Sequence, residues 1–313
     1  MSTKGKKLAP KFRRLAYRRI RQLKKYFDRI VDQADSEAVH DFRKSTRHLQ
    51  AVVETCESQS RKTEKLRGNL RKFRHVLGEW RDTEVLLAEL RKVQRHHGYS
   101  AERPYWRELA ADILKAHEKA TKTFFRRRKS LKVKATTSGL KKLVKKEYHS
   151  ATLMHDLQGE LANRWKKWVA SIEDFVADNT ATALHGVRIK SKGLRYALKL
   201  TLYLYPDEEL EACADWLKEI QDRLGAWHDE MTLAQRALKS FAALPREPDA
   251  LKVIRRIKEN EISLAEAARD FITPIRMTHE YACLRRRLSA TVFALADADA
   301  TSSRSDDLIE PIS

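Results

Sequence analysis

Two stretches of the chain, AVHDFRKSTRHLQAV at 38–52 and ALHGVRIKSKGLRYAL at 183–198, each place a histidine three residues ahead of an arginine and follow it with further cations. On a helix at about 100° per residue, His185, Arg188, Lys192 and Arg195 fall within an arc of about 80°, while Val187, Leu194 and Leu198 point the other way. His40, Arg43, Lys44 and Arg47 make the same kind of stripe. Cations three and four residues apart repel by a few tenths of a kcal/mol per pair on an isolated helix, so something outside the helix must favour the pattern. One helical turn is about 5.4 Å, which sets guanidinium and ammonium groups at a pitch comparable with the repeat of a phosphate chain. Guanidinium forks grip phosphate oxygens bidentately and lysine adds point charge. A neutral imidazole donates one hydrogen bond, and a bound polyanion draws it toward the doubly donating cation.

The composition describes the body that carries these stripes. A chain of 313 residues can bury a substantial core, as two domains or as one repeated unit. Lys and Arg number 64 against 43 Asp and Glu, a formal net charge of +21, and this surplus calls for a polyanionic partner. With only 9 Gly and 7 Pro to interrupt strong helix formers, an all-α fold is expected. Cys56, Cys213 and Cys283 are scattered and odd in number, which reads as small buried residues in a reducing compartment. The chain has no apolar run of about 18 residues and no apolar signal core at its basic N-terminus, so no membrane partner and a cytoplasmic location are expected.

Helical periodicity is clearest near 10–33. Phe12, Leu15, Ile20, Leu23, Phe27 and Ile30 share one side, and Arg14, Arg18, Arg21 and Lys25 an arc of about 60° on the other, a third candidate cationic face. Asp35 or Ser36 can cap the helix that holds the first motif. Further helices are expected at about 61–78, ending near Gly78, at about 81–97, ending near Gly98, and from the first turn marked by Pro104. Lys119 to Lys146 holds 12 Lys or Arg and no acid, and is expected to fray into a basic connector around KVKATTSG. RRRK at 126–129 within it reads as a solvated charge run. The pattern then restarts: a long helix through RWKKWVASIEDFV, the second motif up to Pro206, and helices near 207–224, 228–243, 248–271 and 275–295. This gives a basic extension at 1–9, helical repeats at 10–130 and 137–295 joined by a connector at 131–136, and an acidic tail at 296–313.

The repetition goes beyond the histidines. LGEWRD at 77–82 follows the first motif and LGAWHD at 224–229 the second, with an offset of 147 there and 145 at the histidines. Duplication of a helical bundle is the economical explanation. On these paired motifs the sequence resembles the CHAD family, the conserved histidine α-helical domain, over roughly 10–295. The resemblance implies two pseudo-symmetric four-helix bundles enclosing a basic channel that binds inorganic polyphosphate, without catalysis, metal or cofactor, and association with polyphosphate granules. Some family members are fused to a CYTH triphosphate-processing domain. Only 39 residues precede His40 and no ExExK pattern is present, so a stand-alone member is expected.

Carried over residue by residue, the family's His and Arg fall on His40 with Arg43 and on His185 with Arg188. Its later basic positions fall on Arg47, and on Lys192 with Arg195. The family's Arg-Asp and its counterpart fall on Arg81 with Asp82 and on His228 with Asp229, the aspartates as orienters of nearby cations. Lys218 and Gln221 resemble an LKxLQ pattern, and Arg71 with Arg74 occupy the corresponding helix of the first half. Trp80 and Trp227 are expected to fill the bundle core. Three positions depart from the pattern: Gln50 replaces a usual Arg, and His48 and Gly193 stand where a second basic residue is common. Lys44 or Lys190 makes good these gaps only if its side chain bends toward the channel.

Two other readings compete. The charge and the basic connector suit non-specific binding of nucleic acid, although no helix-turn-helix, zinc-finger spacing or stacking surface accompanies them. The dipeptides His40-Asp41, His155-Asp156 and His228-Asp229 suggest a metal-dependent phosphohydrolase, a weak signal without several converging ligands.

Overall fold

The computed structural model describes residues 8–55, 60–95, 102–146, 150–242 and 248–288, and among these no strand occurs. The fold is all-α. In chain order the helices are α1 (Leu8–Gln33), α2 (Ser36–Glu54), α3 (Arg61–Val76), α4 (Gly78–Arg95), α5 (Arg103–Arg127), α6 (Val133–Lys146), α7 (Ser150–Asp178), α8 (Ala181–Leu204), α9 (Glu208–Phe241) and α10 (Pro248–Ile272). A short 3-10 turn at Thr273–Met277 leads to a last helical segment, α11, at 279–288. The expected basic extension, acidic tail and Cys56 lie wholly or largely outside the described residues, whereas Cys213 and Cys283 are buried free thiols.

The apolar stripes explain the packing. Phe12, Leu15, Ile20, Leu23 and Ile30 of α1 are buried, as the periodicity predicts, in a core shared with α2, α3 and α6. A second core joins α7 from Leu161 onward, α8, the first half of α9, and α11. A third, not anticipated, unites Leu86 and Leu90 of α4, Trp106 to Ile113 of α5, Leu233 to Phe241 of α9 and Val253 and Ile257 of α10. This third core is a four-helix cluster that ties the first half of the chain to the second. Beside it, α2 packs directly on α8, which sets the two motif helices face to face.

The turns that lead into those helices are built alike. Ala34 ends α1 at φ 50° and Asn179 ends α7 at φ 47°, both left-handed. The next residue caps the following helix: Asp35 accepts from the Ala38 N–H at 3.0 Å, and Thr180 from the Ala183 N–H at 3.1 Å. Each pair of positions is 145 apart, the same offset as the histidines. Alanine is strained in this region while glycine is not. Ala34→Gly should therefore stabilise the fold by about 0.5 kcal/mol, the relief of strain exceeding the added unfolded-state entropy, as read by a rise in the urea midpoint. Asn179→Gly gains less, because Asn179 also accepts from Arg269 at 2.8 Å.

Two expectations need correction. The connector at 131–136 is largely helix: a 3-10 turn at Arg128–Leu131 ends in left-handed Lys132, and α6 starts at Val133. Buried Val133, Leu140 and Val144 give that segment an apolar stripe against α1 and α3, which outweighs the repulsion among its lysines. The helices expected at 207–224 and 228–243 are one continuous α9 of 34 residues. Gly225 costs about 1 kcal/mol in a helix interior, yet the helix runs through it, with Leu224 and Trp227 both buried. At the matching place in the first half the chain does break, at Leu77.

Candidate functional site

Where α2 meets α8 the two cationic stripes share one lining. The Lys192 ammonium is pushed down from 10.5 to about 7, first by burial and then by Arg188 of its own helix and Arg47 of α2, with Arg43 adding to the effect. Burial lowers Arg188 as well, Arg47 pulls in the same direction, and Asp229 and Asp82 oppose them. Asp82 on α4 is raised by burial while Arg43, His228 and Arg188 hold it down, so groups from α2, α4, α8 and α9 feel one another's charge. Arg188 lies 3.9 Å from Asp229. The rings of His185 and His228 are 5.0 Å apart between centroids. Partial desolvation lowers both His40, which is exposed on α2, and half-buried His185, with Arg81 the next cause for His40 and His228 for His185.

The lining opens into a cavity of about 910 Å³ between α2, α3, α7 and α8. Arg47, Arg71, Arg74 and Lys192 stand in its wall, with exposed Lys190 at its edge. Arg71 is tied to Glu64 at 2.8 Å. Arg74 is pushed down to about 10 by burial and by Arg47 and Arg43, and it donates to the side-chain oxygen of Gln50 at 2.5 Å. In the second half Arg195 donates to Gln221 at 2.8 Å. Gln50 and Arg195 are 145 apart, and Arg74 and Gln221 147 apart. The arginine that the sequence lacks at Gln50 is therefore supplied across the same hydrogen bond from the neighbouring helix, with donor and acceptor exchanged.

Away from the cavity, Lys44, Arg195, Lys199 and Lys218 form a second basic group, and exposed Lys199 is lowered by partial desolvation and by the other three against the opposing pull of Asp215. Lys218 is exposed and paired with Asp222 at 3.0 Å. His48 is driven down to about 3 by burial and by Arg19, Lys44 and Lys199, so it fills space there as a neutral ring against Tyr196 and adds no charge.

The third stripe is not part of this lining. Arg14, Arg18, Arg21 and Lys25 are exposed on α1 and none of them lines the cavity. Arg18 sits over the Tyr203 ring, and Arg21 and Lys25 border a separate shallow pocket with Asp28 and Arg29. The α1 residue that turns inward is Arg19, and its counterpart on α7 is Arg164, again 145 residues on. Sequence reasoning missed both, along with Arg67 and Lys167, which also line the cavity. The offset that aligned the histidines would have paired Arg19 with Arg164, and Leu23 with Trp168.

Arg43 has a structural role too. It donates to the Arg74 carbonyl at 2.6 Å, beside Gly78, and so satisfies an end of α3 left open by the break at Leu77. Arg81 is bound to Glu84 at 3.2 Å. The three His-Asp dipeptides lie on separate helices, α2, α7 and α9, and among the described residues no group of three His, Cys, Asp or Glu is placed to hold a metal ion.

A family model described as the CHAD domain matches residues 14–238. The chain belongs to the CHAD family. The match runs from α1 into the last turns of α9 and contains the residues of the basic lining. The crystal structure of the CHAD domain from the plant Ricinus communis resembles this CHAD chain with a TM-score of 0.59 and 21% identity, over 90% of this chain and 92% of that one. At that identity the likeness is one of fold. No curated protein sequence matches the chain.

Proposed function

We propose that this CHAD protein binds inorganic polyphosphate as a linear chain laid across the α2–α8 crossing, without turning it over, and that this brings it to polyphosphate granules. The observation that carries the reading is the position of Lys192, half-buried among Arg188, Arg47 and Arg43 and half discharged near neutral pH. Fixing mutually repelling cations in one partly buried lining costs stability, and a multidentate anion relieves that cost. The two basic groups extend the lining to the length of a chain. A nucleic-acid duplex would need these cations on an outer face, so long polyphosphate should displace DNA far more readily than DNA displaces it.

The test is a titration with polyphosphates of graded length at two salt concentrations. Affinity should rise steeply with length until a chain reaches both basic groups, and then level off; it should fall with salt on a log–log slope that grows with the number of cations engaged. A flat response to length would refute the reading.

Binding should also take up protons. With Lys192 near 7, the free protein is largely uncharged at this position at about pH 8, and a bound polyanion restores the proton. Affinity should then weaken as pH rises through about 7, and calorimetry in two buffers of different ionisation enthalpy should give net proton uptake. For the unliganded protein the sign is opposite. Between about 7 and 10.5 the unfolded chain holds more protons on this lysine than the folded one, so its contribution to stability improves with pH across that window.

A further inference from the structure

The two flanks of the lining differ in one respect that the repeat does not predict. Arg19 and Arg164 are equivalent by the 145-residue offset, yet their surroundings are opposed. Arg19 is among the charges that act on His48, together with Lys44 and Lys199. Arg164 instead is held by two carboxylates, Glu54 of α2 and Glu160 of α7, at the wall of the 910 Å³ cavity. The positions matching Glu54 and Glu160 under the offset are Lys199 and Leu15, so neither acid has a counterpart in the other half.

Gly193 makes the arrangement possible. A Cβ at that position would lie 2.5 Å from the Arg164 Nη1, so any side chain there would push the guanidinium aside. In the first half the matching residue is His48. The cation that the motif lacks at Gly193 is thus replaced by one reaching in from α7, over the gap the glycine leaves. Burial lowers Arg164 only to about 10, so it stays charged.

We propose that Arg164 is a polyphosphate-binding residue held in reserve, and that Glu54 and Glu160 make its flank answer to chains and not to single short phosphates. This rests on the functional reading above. A short anion settles on the flank of Lys44, Arg195 and Lys199, where Arg195 is held by the neutral amide of Gln221 and the acids, Asp215 and Asp222, stand beside exposed lysines. To occupy the α7 flank it would have to displace two carboxylates from Arg164 with few other contacts in return. A long chain already anchored at Lys192 and Arg47 presents further phosphates to Arg164 at high effective concentration, and it takes over the guanidinium while the carboxylates turn to solvent.

Three chains decide it: the parent, Glu54→Gln with Glu160→Gln, and that pair combined with Arg164→Gln. The last replaces the charged cluster by amides that still hydrogen-bond, so it keeps a partner for each buried group; thermal melts check that all three fold. The probes are tripolyphosphate and a polyphosphate of about 100 units. In the double variant the long chain should bind about 10-fold more tightly, and the tripolyphosphate stoichiometry should rise from one to two as the second flank opens. Adding Arg164→Gln should reverse both changes. Gly193→Ala, which displaces Arg164 while keeping every charge, should weaken long-chain binding about 3-fold or more. If the parent binds polyphosphate and the double and triple variants bind alike, the role of Arg164 is refuted while the functional reading stands. If the parent binds none, both fall.

Discussion

Arg188→Glu should lower long-chain polyphosphate affinity at least about 100-fold while leaving the far-UV helix signal as it is in the parent. The side chain reaches into the shared lining, is lowered by burial, and stands within the electrostatic reach of Arg47 on the opposing motif helix. Asp229 is at 3.9 Å, too far for a hydrogen bond, and the Arg188 Nε has no hydrogen-bond partner among the described residues, so the guanidinium has donors to spare for a ligand. One charge-assisted bond to phosphate is worth about 1.5–3 kcal/mol, and a carboxylate in its place adds repulsion of the chain. The folded state should tolerate the change, because a negative charge beside Lys192 and Arg47 relieves repulsion among them, although it crowds Asp229 and Asp82. Lys218→Glu is the comparison: that lysine is exposed and paired with Asp222, and its reversal should cost only a few-fold. An Arg188→Glu protein binding within about threefold of the parent would remove the α2–α8 crossing from the site. Arg43 is a poorer probe, since its bond to the Arg74 carbonyl mixes loss of ligand contact with loss of a helix cap.

How far the sequence disclosed this site depended on the kind of signal. The motif stripes were legible because a helix fixes which residues share a face, and α2 and α8 have the expected register. What periodicity could not say was which side of a stripe meets another helix. Arg14, Arg18, Arg21 and Lys25 satisfy the same angular test as the stripes that meet at the α2–α8 crossing, yet α1 turns its apolar face and Arg19 inward and leaves those four in solvent. The exchange of Gln50 and Arg74 for Arg195 and Gln221 was hidden for a related reason. Aligned position by position, the first half appears to lack a cation, but a hydrogen bond has two ends on two helices and either may carry the arginine. Helix ends were the other weak point. The Leu-Gly-x-Trp pattern at 77–80 and 224–227 is buried at its Leu and Trp in both halves, yet the helix breaks at the first and runs through the second, a difference the shared pattern could not disclose. The lysines of α6 suggested a frayed connector because charge is conspicuous in a sequence, whereas the buried faces of Val133, Leu140 and Val144 decide the backbone.

The largest effect on the fold itself is expected at Trp80, and it bears on the site through the residues that follow it. Trp80 is 1% exposed and packs edge-on to Phe124 with centroids 5.5 Å apart, with Phe125 and His117 close by. It therefore fixes the start of α4 against the end of α5 within the first core. Replacing a buried tryptophan by alanine removes its transfer energy and leaves a void that the aromatic neighbours fill only in part, a cost of about 3–5 kcal/mol. Trp80→Ala should lose that much in urea unfolding, with an unchanged slope. Trp80→Phe should cost only about 1 kcal/mol: the ring contacts survive, and the indole Nε1, which has no hydrogen-bond partner among the described residues, is removed along with its desolvation penalty. Arg81 and Asp82 follow on the same turn, so the two variants also separate stability from binding. If the phenylalanine protein keeps the parent affinity and the alanine protein loses it in proportion to its unfolding, the tryptophan serves only to hold α4 in place. Were Trp80→Ala to cost less than about 1 kcal/mol, the joint between α4, α5 and the first core would have to be carried by other residues, and the placement of Arg81 and Asp82 would need another support.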